Sequence, residues 1–141
     1  MAWAPNPTPA YAVGPFSTLP TLLPTVAADG TPGKAAKIYS ANGNNRPAFS
    51  LISLLPVGAL SAGKFILYAS TTQGGSTLVE VDEIVNASQS GYSTTASGTL
   101  LTFTRWSSAT PLILPETADV YVGSAVAQST PPMAYGYGKL Y

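Results

Sequence analysis

The sequence predicts an all-β fold: an antiparallel β-sandwich, jelly-roll-like, with an extended proline-rich N-terminal arm. Three observations lead there. No stretch of the 141 residues repeats apolar side chains at helical spacing. Short runs rich in Val, Ile, Thr, Tyr and Phe are punctuated by Gly, Pro, Asn and Ser, the pattern of strands and turns. Seven of the 13 prolines fall within the first 33 residues, where each fixes φ and removes a backbone donor. The expected organisation is an arm over residues 1–33 and a β-sandwich domain over residues 34–141.

Pro5, Pro7, Pro9, Pro15, Pro20, Pro24 and Pro32 exclude a helix or a central strand from the arm. Trp3, Tyr11, Phe16, Leu19, Leu22 and Leu23 lie between them, and Asp29 is the segment's one charge. Disordered linkers are usually poor in aromatics and rich in charge. A strap folded over its own domain is one reading; an arm that docks on another subunit through these apolar anchors is the reading adopted.

Strands begin with Ala36-Lys37-Ile38-Tyr39, followed by the turn signal Asn42-Gly43-Asn44-Asn45. Phe49, Leu51, Ser53 and Leu55 alternate with Ser50, Ile52 and Leu54. Residues 63–70 are apolar on both faces, as in a central strand, and Gly74-Gly75 suits a hairpin. Val79, Val81 and Val85 are expected on one face, with Glu80 and Asp82 on the other. Residues 99–106 alternate again, 112–114 are short and bracketed by Pro111 and Pro115, and 120–126 and 133–141 complete seven or eight strands.

Composition narrows the function. Six basic and six acidic residues cancel, only 9% of the chain is charged, and histidine and cysteine are absent. Ser-His-Asp and Cys-His nucleophiles, imidazole or thiolate metal sites and disulfides are therefore excluded, so no catalytic, cofactor or metal residues are expected. Scattered Lys and Arg cannot neutralise many phosphates, so no nucleic acid is expected as a partner. No apolar run reaches the ~18 residues of a spanning helix, and the amino terminus carries no signal-peptide pattern, so no membrane is expected either. With 31 serines and threonines, exposed strand faces are built from hydroxyls rather than charges. A surface so poor in charge is expected to be covered by a partner.

Several local patterns have bland explanations. Gly58 to Lys64 has phosphate-loop spacing, but Phe65 replaces the magnesium-binding Ser or Thr and a strand replaces the helix. Glu80 and Asp82 would share a face, close enough to form a carboxylate pair or cation site, but the solvated outer face of a strand explains the same residues and is the reading adopted. Glu116 and Asp119 read as turn formers. Asn86-Ala87-Ser88 matches a glycosylation sequon by chance. Arg105 beside Trp106 suits stacking. Tyr135, Tyr137 and Tyr141 alternate with glycine in a tail suited either to an interface or to a close-packed final strand.

From about Tyr39 onward the chain resembles small virion structural proteins of tailed bacteriophages, among them capsid cement (decoration) proteins with β-sandwich folds. The resemblance rests on the Asn42-Gly43 turn, the aliphatic run 49–55, the strand Phe65-Ile66-Leu67-Tyr68, and the Gly-Gly turn with the acidic strand 78–84 behind it. The segment 111–122, opening Pro111-Leu112-Ile113-Leu114-Pro115, and the glycine-tyrosine carboxyl terminus complete it. Thr117-Ala118 stands where the family often has glycine. The resemblance implies a head-surface protein, made in the host cytoplasm, that ties together neighbouring major capsid protein subunits. Its partner-binding residues would be Trp3, Tyr11, Phe16, Leu19, Leu22, Leu23, Tyr135, Tyr137 and Tyr141. Lattice symmetry favours a homo-oligomer, a trimer above all. The alternatives are a tail, collar or fibre-base component, or a carbohydrate-binding module stacking sugars on Trp106, Tyr68 or Tyr92.

Overall fold

A computed structural model describes residues 14–89 and 100–141. Ten strands lie among them, arranged in two antiparallel sheets. In chain order they are β1 Gly14–Ser17, β2 Thr21–Leu22, β3 Ala36–Tyr39, β4 Pro47–Leu55, β5 Gly63–Ser70, β6 Leu78–Asn86, β7 Leu101–Thr102, β8 Leu112–Ile113, β9 Val120–Ser124 and β10 Met133–Leu140. A single 3₁₀ turn, Pro32–Lys34, precedes β3. Sheet I has the order β1-β10-β4-β7, with β2 also on β10 and β8 also on β4; sheet II has the order β3-β9-β5-β6. Phe49, Ile52 and Leu54 of sheet I meet Phe65, Leu67, Val120 and Val122 of sheet II in one core.

The expected strands at 36–39 and 63–70 form at those positions. Strand β5 lies inside sheet II between β9 and β6, and both of its faces are apolar because Phe65 and Leu67 enter the core while Ile66 and Tyr68 are buried on the other side. Two others are shorter than expected. Strand β9 stops at Ser124, whose hydroxyl donates to the Val126 carbonyl at 2.6 Å and turns the chain. Strand β7 spans only two residues before Phe103 turns fully into the core.

Two bulges redistribute the expected faces. In β4, Leu51 pairs with Tyr137 and Phe49 with Gly138, so Ser50 is the extra residue. Phe49 therefore joins Ile52 and Leu54 inside, while Leu51, Ser53 and Leu55 take the opposite face, where Ser53 is itself buried and shares a hydrogen bond with Thr102. In β6, Asp82 pairs with Leu67 and Glu80 with Tyr68, leaving Val81 extra. Val81 and Ile84 pack on the core, while Val79 and Val85 are exposed. The three valines do not share a face.

The arm expected over residues 1–33 is corrected from Gly14 onward. Strand β1 pairs with β10 from Gly14↔Leu140 to Ser17↔Tyr137, and β2 pairs with β10 at Leu22↔Met133. Pro15 is tolerated because β1 is an edge strand. Phe16 stands edge-on to Phe49 with ring centroids 5.0 Å apart, and Leu23 is 2% exposed in the core. The following segment crosses the outer face of sheet II. The Ala28 N–H donates to the Ser124 carbonyl at 2.7 Å, and a Cβ on Gly123 would lie 2.6 Å from that of Ala28. Beneath this strap Ile66, Tyr68 and Tyr121 are buried. At its end the Thr31 hydroxyl, the Lys34 ammonium and the Thr31 N–H all donate to Asp29, lowering that carboxyl to about 2.

Asp119 is no ordinary turn former. It is 1% exposed, and its carboxylate accepts the N–H of Ala41 at 2.7 Å and of Gly74 at 2.9 Å. Lys37 Nζ stands 3.5 Å from Oδ2, and the Asp119 N–H donates to the Ser70 hydroxyl. One side chain thus ties together the β3–β4 loop, the β5–β6 hairpin and the start of β9.

Replacing Asp119 with Ala strips two backbone donors and Lys37 of their acceptor. At about 1–3 kcal/mol for each orphaned group, urea unfolding should show a loss of ~3–5 kcal/mol, a large part of a domain's stability. A chain starting at Lys34 lacks β1, β2, Phe16 and Leu23. It should lose its cooperative thermal transition, whereas a chain starting at Gly14 should keep it; circular dichroism melts of the two distinguish them.

Candidate interaction face

Strand β10 alternates small and large residues for a structural reason. A Cβ on Gly138 would lie within bonding distance of the Ala48 carbonyl, and one on Gly136 would lie 2.9 Å from the Leu51 carbonyl and 3.1 Å from the Phe49 ring. The glycines and Ala134 face the core, which sends Met133, Tyr135 and Tyr137 to the opposite side.

Strand pairing extends that side into rows across sheet I. Leu22, Met133 and Leu55 form one row; Tyr135, Ser53 and Thr102 the next; Ser17, Tyr137 and Leu51 a third; Pro15 and Lys139 the last. Leu22 is 53% exposed and Tyr137 48%. Lys139 is the one charged residue in these rows. At their far end lies an open groove of about 540 Å³, bounded by Pro15, Leu51, Trp106, Ser108, Tyr137 and Lys139. The Arg105 guanidinium lies 5.2 Å from the Trp106 ring centre. The indole N–H of Trp106 is buried and has no acceptor among the described residues.

The structure sorts the expected binding residues. Leu22, Tyr135 and Tyr137 come together on this face. Leu19, in the β1–β2 turn, is 86% exposed. Phe16 and Leu23 are spent on the protein's own core. Tyr141 is half-buried beyond the end of β10, where its backbone exchanges two hydrogen bonds with Arg46. Trp3 and Tyr11 lie outside the described residues. Met133, Leu51, Leu55 and Trp106 join the face without having been expected there, because strand order and the β4 bulge bring them in.

Other expected sites are not assembled. Glu80 and Asp82 fall on opposite faces of β6, because the bulge at Val81 intervenes. Asp82 instead accepts the Glu83 N–H at 2.8 Å, and Glu83 bonds Lys64 at 2.8 Å, which holds the Glu83 carboxyl below its ordinary range. Asn86 is buried and its amide donates to the Ser61 and Ala87 carbonyls, so the sequon nitrogen is engaged internally. Gly63 and Lys64 open β5 rather than a phosphate-binding helix. Tyr68 is buried beneath the strap on sheet II, so it is no sugar platform, and Tyr92 lies outside the described residues. Among the described residues, no group of three or more acidic side chains could hold a metal ion. Comparisons with protein-family models, curated proteins and solved structures find no match to this chain.

Proposed function

We propose that this chain is a non-enzymatic structural protein of a bacteriophage particle: a head cement protein that binds neighbouring major capsid protein subunits through the outer face of sheet I. The observation that carries this reading is the contrast between the two outer faces. The face of sheet II is covered by the chain's own strap at Ala28 and Ala35. The face of sheet I offers Leu22, Leu55, Met133 and Tyr137 with almost no charge, the composition of an interface core.

The strand order supports a jelly roll as the finer fold. The chain passes from β1 in sheet I to β3 in sheet II, back to β4, across to β5 and β6, back to β7 and β8, then to β9 and finally β10. Taking β1, β3, β4, β5, β6, β7, β9 and β10 as principal strands, this is two interleaved Greek keys, an architecture used by viral capsid domains and also by lectins. A homotrimer at a lattice three-fold axis would present the same face of each copy to the capsid.

Leu22→Glu tests the reading. The position is exposed, so the melting curve should hardly change. Placing an unpaired carboxylate in a desolvated interface should weaken co-sedimentation with capsids assembled without the protein by at least ~100-fold. The wild-type interaction should depend little on salt, because it buries few charges. Normal decoration by Leu22→Glu would remove this face from the mechanism.

A further inference from the structure

The tenth strand to be made is an inner strand of sheet I, and the first two strands wait for it. We infer that β10 gates folding: the sandwich and the outer face of sheet I form together, only after residues 133–140 have left the ribosome. A chain interrupted before β10 then presents neither.

Sheet I has no continuous ladder without β10. Among the described residues, β1 and β2 pair with β10 alone, and β4 is left with β7 and β8, each meeting it at two residues. Ribbons so short are not stable by themselves. Strand β10 is bonded along both edges. On one it pairs with β4 from Met133↔Leu55 to Leu140↔Pro47. On the other it holds β1 and β2. There the Thr18 N–H donates to the Gly136 carbonyl and the Gly136 N–H to the Thr18 hydroxyl, both at 2.8 Å. Just before β10, the Pro132 carbonyl accepts the Leu23 N–H at 3.0 Å.

Sheet II does not substitute for this. Its strands β3, β5, β6 and β9 are all made by Ser124, and the β5–β6 hairpin is local enough to form early. Its inner side chains Phe65, Leu67, Val120 and Val122, however, belong to the core shared with sheet I, in which Ala134 of β10 is fully buried. Without β10 that core opens on the sheet I side, and the burial that offsets chain ordering is lost. Pairing Gly14 with Leu140 also closes nearly the whole described chain into one loop. The entropy of that closure must be met before the contact stabilises anything, so β1 and β2, though made first, dock last. The face follows the same order: β10 supplies Met133, Tyr135 and Tyr137, and seats Leu22 opposite Met133. One strand completes fold and face, whatever partner the face takes.

The whole chain, tethered to stalled ribosomes by a linker placed after Tyr141, provides the test. An exit tunnel of ~100 Å holds about 30 extended residues, so a linker of ~20 residues keeps β10 inside and one of ~40 residues frees it. Thermolysin should digest the short-linker chain at least ~10-fold faster than the long-linker chain, because only the second can close its sandwich. Gly138→Val, whose side chain would collide with the Ala48 carbonyl, should make the long-linker chain as sensitive as the short-linker one. Equal resistance at the two linker lengths would overturn the inference. So would a long-linker Gly138→Val chain that resists digestion as well as wild type.

Discussion

Everything in sheet I depends on how closely β10 can approach β4. The two strands pair from Met133↔Leu55 to Leu140↔Pro47, and the approach is so tight that no side chain fits at Gly138. Glycine is normally a poor strand residue, because it loses much backbone freedom and offers nothing to pack. Here its lack of a side chain is the requirement, and the Phe49 ring fills the space against Gly136. The same strand accepts β1 and β2 on its other edge, so the last strand of the chain holds the first two in place.

That constraint links packing to the interaction face. Once the glycines are turned inward, period-two geometry sends Met133, Tyr135 and Tyr137 outward as a set. The bulge at Ser50 does the same for Leu51, Ser53 and Leu55, and β2 adds Leu22. The Asp119 carboxylate ties the β3–β4 loop and the β5–β6 hairpin to the start of β9 by accepting the backbone N–H groups of Ala41 and Gly74. The segment that follows β2 covers the outer face of sheet II, whereas Leu22 and Tyr137 on the outer face of sheet I stay exposed.

Much of this was legible in the sequence, and the failures have physical causes. Strands β3 and β5 were readable because Gly, Pro and Asn bracket dense runs of β-formers. The Tyr-Gly alternation marked β10, and the structure realises it as a close-packed inner strand that also carries an outward tyrosine row. The bulges at Ser50 and Val81 were invisible, because strict alternation assumes one partner per residue. That assumption misplaced the valines of β6 and united Glu80 with Asp82. Phe16 and Leu23 look like anchors for a partner, because prolines between apolar residues read alike in a strap and in a docking arm. Only the pairing with β10 separates the two. Asp119 resembled a turn residue because its two backbone partners, Ala41 and Gly74, are far away in sequence. Met133, Leu51, Leu55 and Trp106 belong to the face through strand order, which no local pattern encodes.

The account's central claim is that sheet I turns towards the particle and sheet II away from it. Hydroxyl-radical footprinting of the free protein and of the particle-bound protein tests this most directly. Met133, Tyr137 and Leu22 should be oxidised in the free protein and protected at least several-fold on the particle. Val79 and Val85, exposed on the edge strand of sheet II, should react equally in both. Protection of Val79 and Val85 with unchanged oxidation of Met133 and Tyr137 would contradict the account.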